Sequence, residues 1–468
     1  MASSVQTRNR PHHLVSLIAG LVVMVLPQPA GRALGAESPA PRRPNVVYIF
    51  SDEHRWQAMS FTEMPSVRTP NLKRLAEDGF AFTHCISNYP VCSPYRAMLM
   101  TGRWPYQTGV TDNSIRLKPE EITIGKVFKT AGYATGYIGK WHLGGTRAEP
   151  FGFDHSLIWA NTNNHWQSTY HPLNGPPVVA KGYNATLMTD QALAFIDKNR
   201  HRPFLLMLSW NPPHAEFKDA PQEYKDWYAD KSSLPYRPNV ETEGKPKSRK
   251  GSRSEESPWQ QYRGYHAHIS AIDAELGRIL QKLDELDLAR DTIVVYSSDH
   301  GSMQGSHGLH GKRQPFEESI RVPFLVRWPA AIARGTSSDA LLGSIDIMPS
   351  LCGLAGIAIP KTCAGLDFSP AILGKKGPEP ASQFIMHISK ENASGGQNHP
   401  APLFRGIVTK RYTYAVRADR PWCLFDNLSD PYQTHNLIDQ PDKAQTRQEL
   451  QKMLAEWLKK AQDPFVIP

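Results

Sequence analysis

Asn45-Val46-Val47-Tyr48-Ile49-Phe50 is an unbroken run of β-branched, aromatic and aliphatic residues that gives way at once to Ser51-Asp52-Glu53-His54-Arg55. A half-exposed strand alternates polar and apolar residues, whereas a continuous apolar run of this length fits a strand covered on both faces. The same design recurs three times. Tyr133–Ile138 leads into Gly139-Lys140-Trp141-His142, Phe204–Ser209 towards Asn211-Pro212-Pro213-His214, and Thr292–Ser297 into Ser298-Asp299-His300-Gly301. Helical patterns lie between them at Asn71–Asp78, Gly125–Ala131, Leu187–Asn199 and Tyr265–Leu288. In the last of these, Ile269, Ile272, Leu276, Ile279, Leu283 and Leu286 recur at intervals of three and four. Alternation of this kind predicts an α/β fold, a large, mixed, mostly parallel sheet sandwiched by helices. In such sheets function gathers beyond the carboxyl ends of the strands, so four strands that each deliver polar groups there predict one shared site.

Beyond residue 329 the pattern changes. Ser344–Ala355 reads as a helix and Ile357–Gly365 as a Pro-containing connection. Short strand-like runs (FIMHIS, FRGIVT, TYAVRA, WCLF) follow from about Gln383, then a closing helix over Ala444–Ala461. We therefore expect a catalytic domain over 45–375 and a smaller α+β subdomain over 376–468. Between two of the strands, Glu241–Pro258 is rich in Lys, Arg, Ser and Gly and reads as a surface insertion.

The 468 residues carry a formal charge of +9. Residues 1–36 hold three arginines and no acid, so the remainder has 50 basic against 44 acidic residues, a mild excess of +6 that does not imply nucleic acid. That first segment reads as an export signal. Arg8 and Arg10 precede the apolar run Leu14–Leu26, small residues around Ala33–Ala36 offer a cleavage site, and 37–44 form a Pro-rich linker. The apolar run is short for a stable membrane span. Export places the chain in an oxidising compartment, where Cys352 and Cys363, which enclose a short loop, are a candidate disulfide that spacing alone leaves open.

The chemistry centres on Cys92-Ser93-Pro94-Tyr95-Arg96-Ala97-Met98-Leu99-Met100-Thr101-Gly102-Arg103. Pro94 suits the first turn of a helix and Gly102 its end, so Cys92 stands at a helix start with Arg96 one turn on, on the same face. A thiol in that electropositive niche is a nucleophile candidate; a small buried apolar residue is the plain alternative. The string Cys-x-Pro-x-Arg followed by Leu-x-Thr-Gly-Arg resembles the maturation signature of type I sulfatases, in which the cysteine is oxidised to formylglycine. Tyr95 stands where the family commonly has Ser. The resemblance extends from about Asn45 to about Pro329, and it implies the alkaline phosphatase-like fold, sulfate-ester hydrolysis and a formylglycine-generating maturation enzyme as partner.

Asp52, Glu53 and Asp299 bring three carboxylates to one edge of the sheet, and a hard divalent cation relieves their repulsion. The resemblance implies one Ca²⁺ ion held by Asp52, Glu53, Cys92, Asp299 and His300. Glu53 stands where Asp is commonest, and His300 where many members have Asn. The catalytic residues it implies are Cys92, Arg96, Lys140, His142, His214 and Lys312. The hydrated formylglycine attacks sulfur, and Lys140, Lys312 and Arg96 hold the sulfate oxygens. His214 protonates the departing alcohol, and His142 deprotonates the second hydroxyl to expel sulfate. His307, His310 and Arg313 are neighbours not separable from loop structure at this level. Trp159, His165, Trp166, Tyr170 and His171 are candidate sugar contacts, with Trp210 and His266 weaker ones. A sulfated small molecule or glycan is the expected substrate. The alternatives are a phosphodiesterase or phosphonate monoester hydrolase of the same superfamily, and an unprocessed relative that only binds sulfated glycan.

Overall fold

The computed structural model describes residues 43–159, 164–240, 256–389 and 402–468. The export segment, the first part of the linker and most of the Glu241–Pro258 insertion fall outside these. Five parallel strands form the middle of a ten-stranded sheet, in the order Thr292–Ser298, Asn45–Ser51, Phe204–Ser209, Ala134–Lys140 and His155–Trp159. On one side Phe324–Arg327 adds antiparallel to the Thr292 strand, followed by Phe80–Phe82 and Thr336–Ser338. On the other, Thr169–Pro172 and Val178–Val179 add antiparallel to the His155 strand.

Every residue of Asn45–Ser51 is buried, and alternate side chains enter different cores. Val46, Tyr48 and Phe50 pack with the Cys92–Thr101 helix and Ile347–Leu354. Val47 and Ile49 pack with Pro258–Glu285 and Asn184–Asn199 on the opposite face. The uniform apolar run in the sequence is thus the record of two covered faces. Register aligns the strand ends: Phe50 pairs with Ser209 and with Ser297, Ser51 with Ser298, and Gly139 with Ser209. The polar residues that follow each strand therefore leave the sheet at one level.

Two helix starts show how local chemistry sets boundaries. The longest helix begins at Pro258, seven residues before the periodicity suggests, because Ser257 and Gln260 form a reciprocal capping box around a proline at the first position. Its first turns carry Trp259 and Tyr262 into a satellite cluster rather than the main core, which is why the apolar period missed them. Pro70–Glu77 lacks a side-chain cap from its own N-cap residue, Thr69. Asp273, from the long helix, supplies one across space: Oδ1 accepts from Leu72 N at 2.7 Å, and Oδ2 from Asn71 N at 3.1 Å and Nδ2 at 3.0 Å.

A second, four-stranded antiparallel sheet, Gln383–His387, Phe404–Val408, Tyr412–Val416 and Pro421–Asp426, is covered by the helix Ala444–Ala461. Its core includes Met98 and Trp104 as well as Phe384, Ile407 and Leu454, so it presses on the back of the Cys92 helix. All ten residues of that helix are buried between the two sheets. No helix among the described residues is long and apolar enough to cross a membrane. The five cysteines are free thiols, so Cys352 and Cys363 are not bonded to each other.

Buried neutral histidines make the fold acid-sensitive. Burial lowers His54 and His387 to about 4, and drives His266 and His268 well below their ordinary range. Below pH 6.5 the unfolded chain takes up protons that the native state refuses, so stability is intact above that pH and is lost as the pH falls through the window down to about 4. Each such histidine removes about 2 kcal/mol at pH 5. Thermal unfolding should show a clearly lower Tm at pH 5 than at pH 7, and an unchanged Tm would contradict this burial.

Candidate active site

Asp52 and Asp299 follow adjacent strands and are fully buried, as is His300. Cys92 is the first residue of its helix, with Val91 as the extended cap and Gly102 closing the far end in the left-handed conformation. Ligand atoms of Asp52, Cys92, Asp299 and His300 all lie within 4.8 Å of one another. The Cys92 sulfur is 3.8 Å from Asp52 Oδ1 and 3.4 Å from His300 Nε2. His300 Nδ1 donates to Gly301 O at 3.0 Å, which leaves Nε2 directed at this cluster. Asp52, Glu53 and His214 form an overlapping second group.

Arg96 ties the cluster together. Its Nη2 is 3.2 Å from Asp52 Oδ2 and 3.2 Å from Asp299 Oδ2, and its Nη1 donates to Lys140 O at 2.6 Å and Ser209 Oγ at 2.8 Å. The guanidinium also sits over the Phe50 ring and has no exposed surface. The resemblance implies that Arg96 holds sulfate oxygens; in the structure its Nη1 and Nη2 bind the protein and fix the two carboxylates, while its buried Nε has no hydrogen-bond partner. Lys140 Nζ lies 2.5 Å from Asp52 Oδ2 and 3.8 Å from Cys92 Sγ. Lys312 Nζ lies 2.6 Å from Glu53 Oε1 and 3.2 Å from Cys92 Sγ. Glu53 also accepts from Ser302 Oγ at 3.1 Å, and His214 Nε2 stands 3.4 Å from its Oε1. His142 O accepts from Ser93 Oγ at 2.5 Å, and its Nδ1 is buried without a hydrogen-bond partner. Glu53 and His142 both have positive φ, 74° and 55°, a strained state for residues with side chains and one that concentrates at functional sites.

Burial and Asp52 push the Cys92 thiol up, but Lys140, Lys312 and His300 outweigh them and hold it well below the usual thiol range. Burial likewise raises Asp52, and Lys140, His214, Lys312 and Arg96 reverse the shift. Asp299 stays raised, by burial and by the neighbouring Asp52 charge. Three buried carboxylates, Asp52, Glu53 and Asp299, fit a hard divalent cation, while the Cys92 sulfur and the His300 imidazole are softer donors. The four residues of the first cluster would hold it, with Glu53 alongside.

Of the candidate sugar contacts, Trp159, His165, Tyr170, Trp210 and His266 are buried, and Trp166 stays 38% exposed. Trp159 underlies Lys140, whose Nζ is 5.9 Å from its ring centre. Sequence reasoning passed over Ser209 and Ser302, which bond Arg96 and Glu53. The one signal for them was position, at and just beyond a strand end.

The chain matches the family described as Sulfatase over residues 44–357, and N-sulphoglucosamine sulphohydrolase, C-terminal, over 305–460. It belongs to the sulfatase family. An ulvan-active sulfatase of Formosa agariphila is 36% identical over 91% of this chain and 83% of its own length. An endo-4-O-sulfatase of Bacteroides thetaiotaomicron is 30% identical over 90% and 93%. A solved structure in complex with its substrate D-glucosamine-2-N,6-O-disulfate superposes with a TM-score of 0.80 at 25% identity, covering 90% of this chain and 99% of that one. A phosphonate monoester hydrolase of Agrobacterium radiobacter, at 22% identity and a TM-score of 0.73 over 89% and 96%, shares the fold alone. The mixed sheet with its smaller antiparallel companion is the alkaline phosphatase-like architecture of these relatives, and this sulfatase is a sulfuric ester hydrolase.

Removing Arg96 leaves two buried carboxylates without their common partner, so Arg96→Leu should cost about 3–5 kcal/mol of stability. Urea unfolding of the variant checks this. A loss below about 1 kcal/mol would mean that the guanidinium does not tie the strand ends together.

Proposed function

We propose that this sulfatase is exported by its first 36 residues and hydrolyses a sulfate ester on a sulfated carbohydrate, with Cys92 matured to formylglycine and one Ca²⁺ held by Asp52, Cys92, Asp299 and His300, Glu53 adjoining. The observation that carries the reading is the convergence of Lys312, His300, Lys140 and Asp52 on one atom, Cys92 Sγ, at 3.2, 3.4, 3.8 and 3.8 Å. The relatives' substrates, ulvan and a disulfated glucosamine, support a carbohydrate.

Ca²⁺ would supply Lewis acidity and positive charge at this cluster. A hydrated formylglycine offers two hydroxyls on one carbon, one to attack sulfur and one whose deprotonation lets sulfate leave. Three carboxylates and three cations, Arg96, Lys140 and Lys312, roughly balance, so a divalent ion makes the centre net positive and suited to an anionic ester. Lys140 and Lys312 hold the sulfate oxygens, since both ammonium groups already face residue 92. His214 Nδ1 donates to Ala215 O at 2.7 Å, so Nε2 faces the site and delivers a proton to the leaving alcohol when the ring is imidazolium, the form that burial opposes and Glu53 beside it favours. His142 takes the proton from the second hydroxyl. Burial lowers its pKa, which keeps it neutral and ready to accept.

Mass analysis of the peptide bearing residue 92, from the native host, should find the aldehyde rather than the thiol. Cys92→Ala should lower kcat for aryl sulfates by about a thousandfold or more. An intact thiol in fully active enzyme would overturn the nucleophile. Faster turnover of an aryl phosphonate or phosphodiester than of the matched aryl sulfate would favour the runner-up hydrolase.

A further inference from the structure

The central cations are each matched by acids: Arg96 by Asp52 and Asp299, Lys140 by Asp52, and Lys312 by Glu53. Arg313, the residue after Lys312, is different. It is half-buried, and among the described residues it makes no hydrogen bond and no ion pair. Its Nε is closed off from solvent without a partner. A half-buried guanidinium with its Nε shut off from water and, among the described residues, no carboxylate on its two amino groups is a cost that a bound anion would offset.

Arg313 directly follows Lys312, whose Nζ is 3.2 Å from Cys92 Sγ. The backbone at Arg313 is left-handed, φ 71°, and turns the chain sharply just past Lys312. Its charge reaches Tyr89 and His387, at the edge of the smaller sheet. Asp112 acts on the same two residues, and its oxygens accept from Ser389 Oγ and from Asn113 N at 2.5 Å. Asn113 in turn accepts from Ser93 N at 2.9 Å, beside the nucleophile. The unmatched cation thus stands one residue from a lysine that faces Cys92, and it acts on Tyr89 and His387, two residues on which Asp112 also acts.

We propose that Arg313 anchors a second anionic group of the substrate, a uronate carboxylate or a further sulfate, next to the sulfate that is cleaved. This rests on the carbohydrate reading above. The planar fork of the guanidinium suits either oxyanion, and a sulfated polysaccharide presents both at the spacing of one sugar or the next.

The test compares matched pairs by sulfate release: glucosamine 6-O-sulfate against glucosamine 2-N,6-O-disulfate, and a sulfated uronate-containing disaccharide against its carboxyl-reduced form. In the wild type the more anionic member of at least one pair should have the higher kcat/KM, and which pair shows it identifies the group held. Arg313→Ala should reduce that ratio by about ten- to a hundredfold, chiefly through KM, and Arg313→Lys by less. A ratio taken within one variant is insensitive to loss of folded enzyme. A wild type without preference in either pair, or a ratio unchanged in Arg313→Ala, overturns the anchor. Hydrolysis of aryl sulfate with none of the four sugars overturns the carbohydrate reading itself.

Discussion

The structure turns on one guanidinium that joins the ends of two adjacent buried strands. Asp52 follows the Asn45 strand and Asp299 the Thr292 strand, and Arg96 holds an oxygen of each at 3.2 Å. Without that bridge two fully buried carboxylates would repel across a gap that the register of the sheet forces to be short. Arg96 can reach them because its helix is buried on every side, one core against the large sheet and another against the smaller one. The smaller sheet is therefore part of the geometry of this cluster: it is the backing that keeps residue 92 over the strand ends.

Paired charges also explain why such a centre can be dry. Each acid there has a cation within salt-bridge distance, and most remaining acceptors are met by backbone N–H groups or serine hydroxyls. The exceptions are informative. Among the described residues, His142 Nδ1 and Arg313 Nε are buried without a hydrogen-bond partner. Buried polar groups left unsatisfied call for an explanation, and on the reading proposed above a ligand supplies it.

Much of this was legible along the chain. The four apolar runs are strands that differ from their expected limits by no more than two residues at either end, and the closing helix spans the residues expected, because burial on both faces and helical period are local patterns. The start of the long helix was written in Ser257-Pro258 and Gln260, a signal that an apolar period does not contain. The cap on the Pro70 helix was not legible at all, since Asp273 lies about 200 residues away in sequence.

The sequence alone determined that a cysteine would stand at a helix start and that acids, lysines and histidines would follow buried strands to one edge, because each of those facts depends on residues within a few positions of one another. Only the tertiary structure decided which charges meet. It joined Arg96 to Asp52 and Asp299, matched Glu53 to Lys312 and left Arg313 without an acid among the described residues, since those pairings depend on ångström distances between segments brought together by two separate cores.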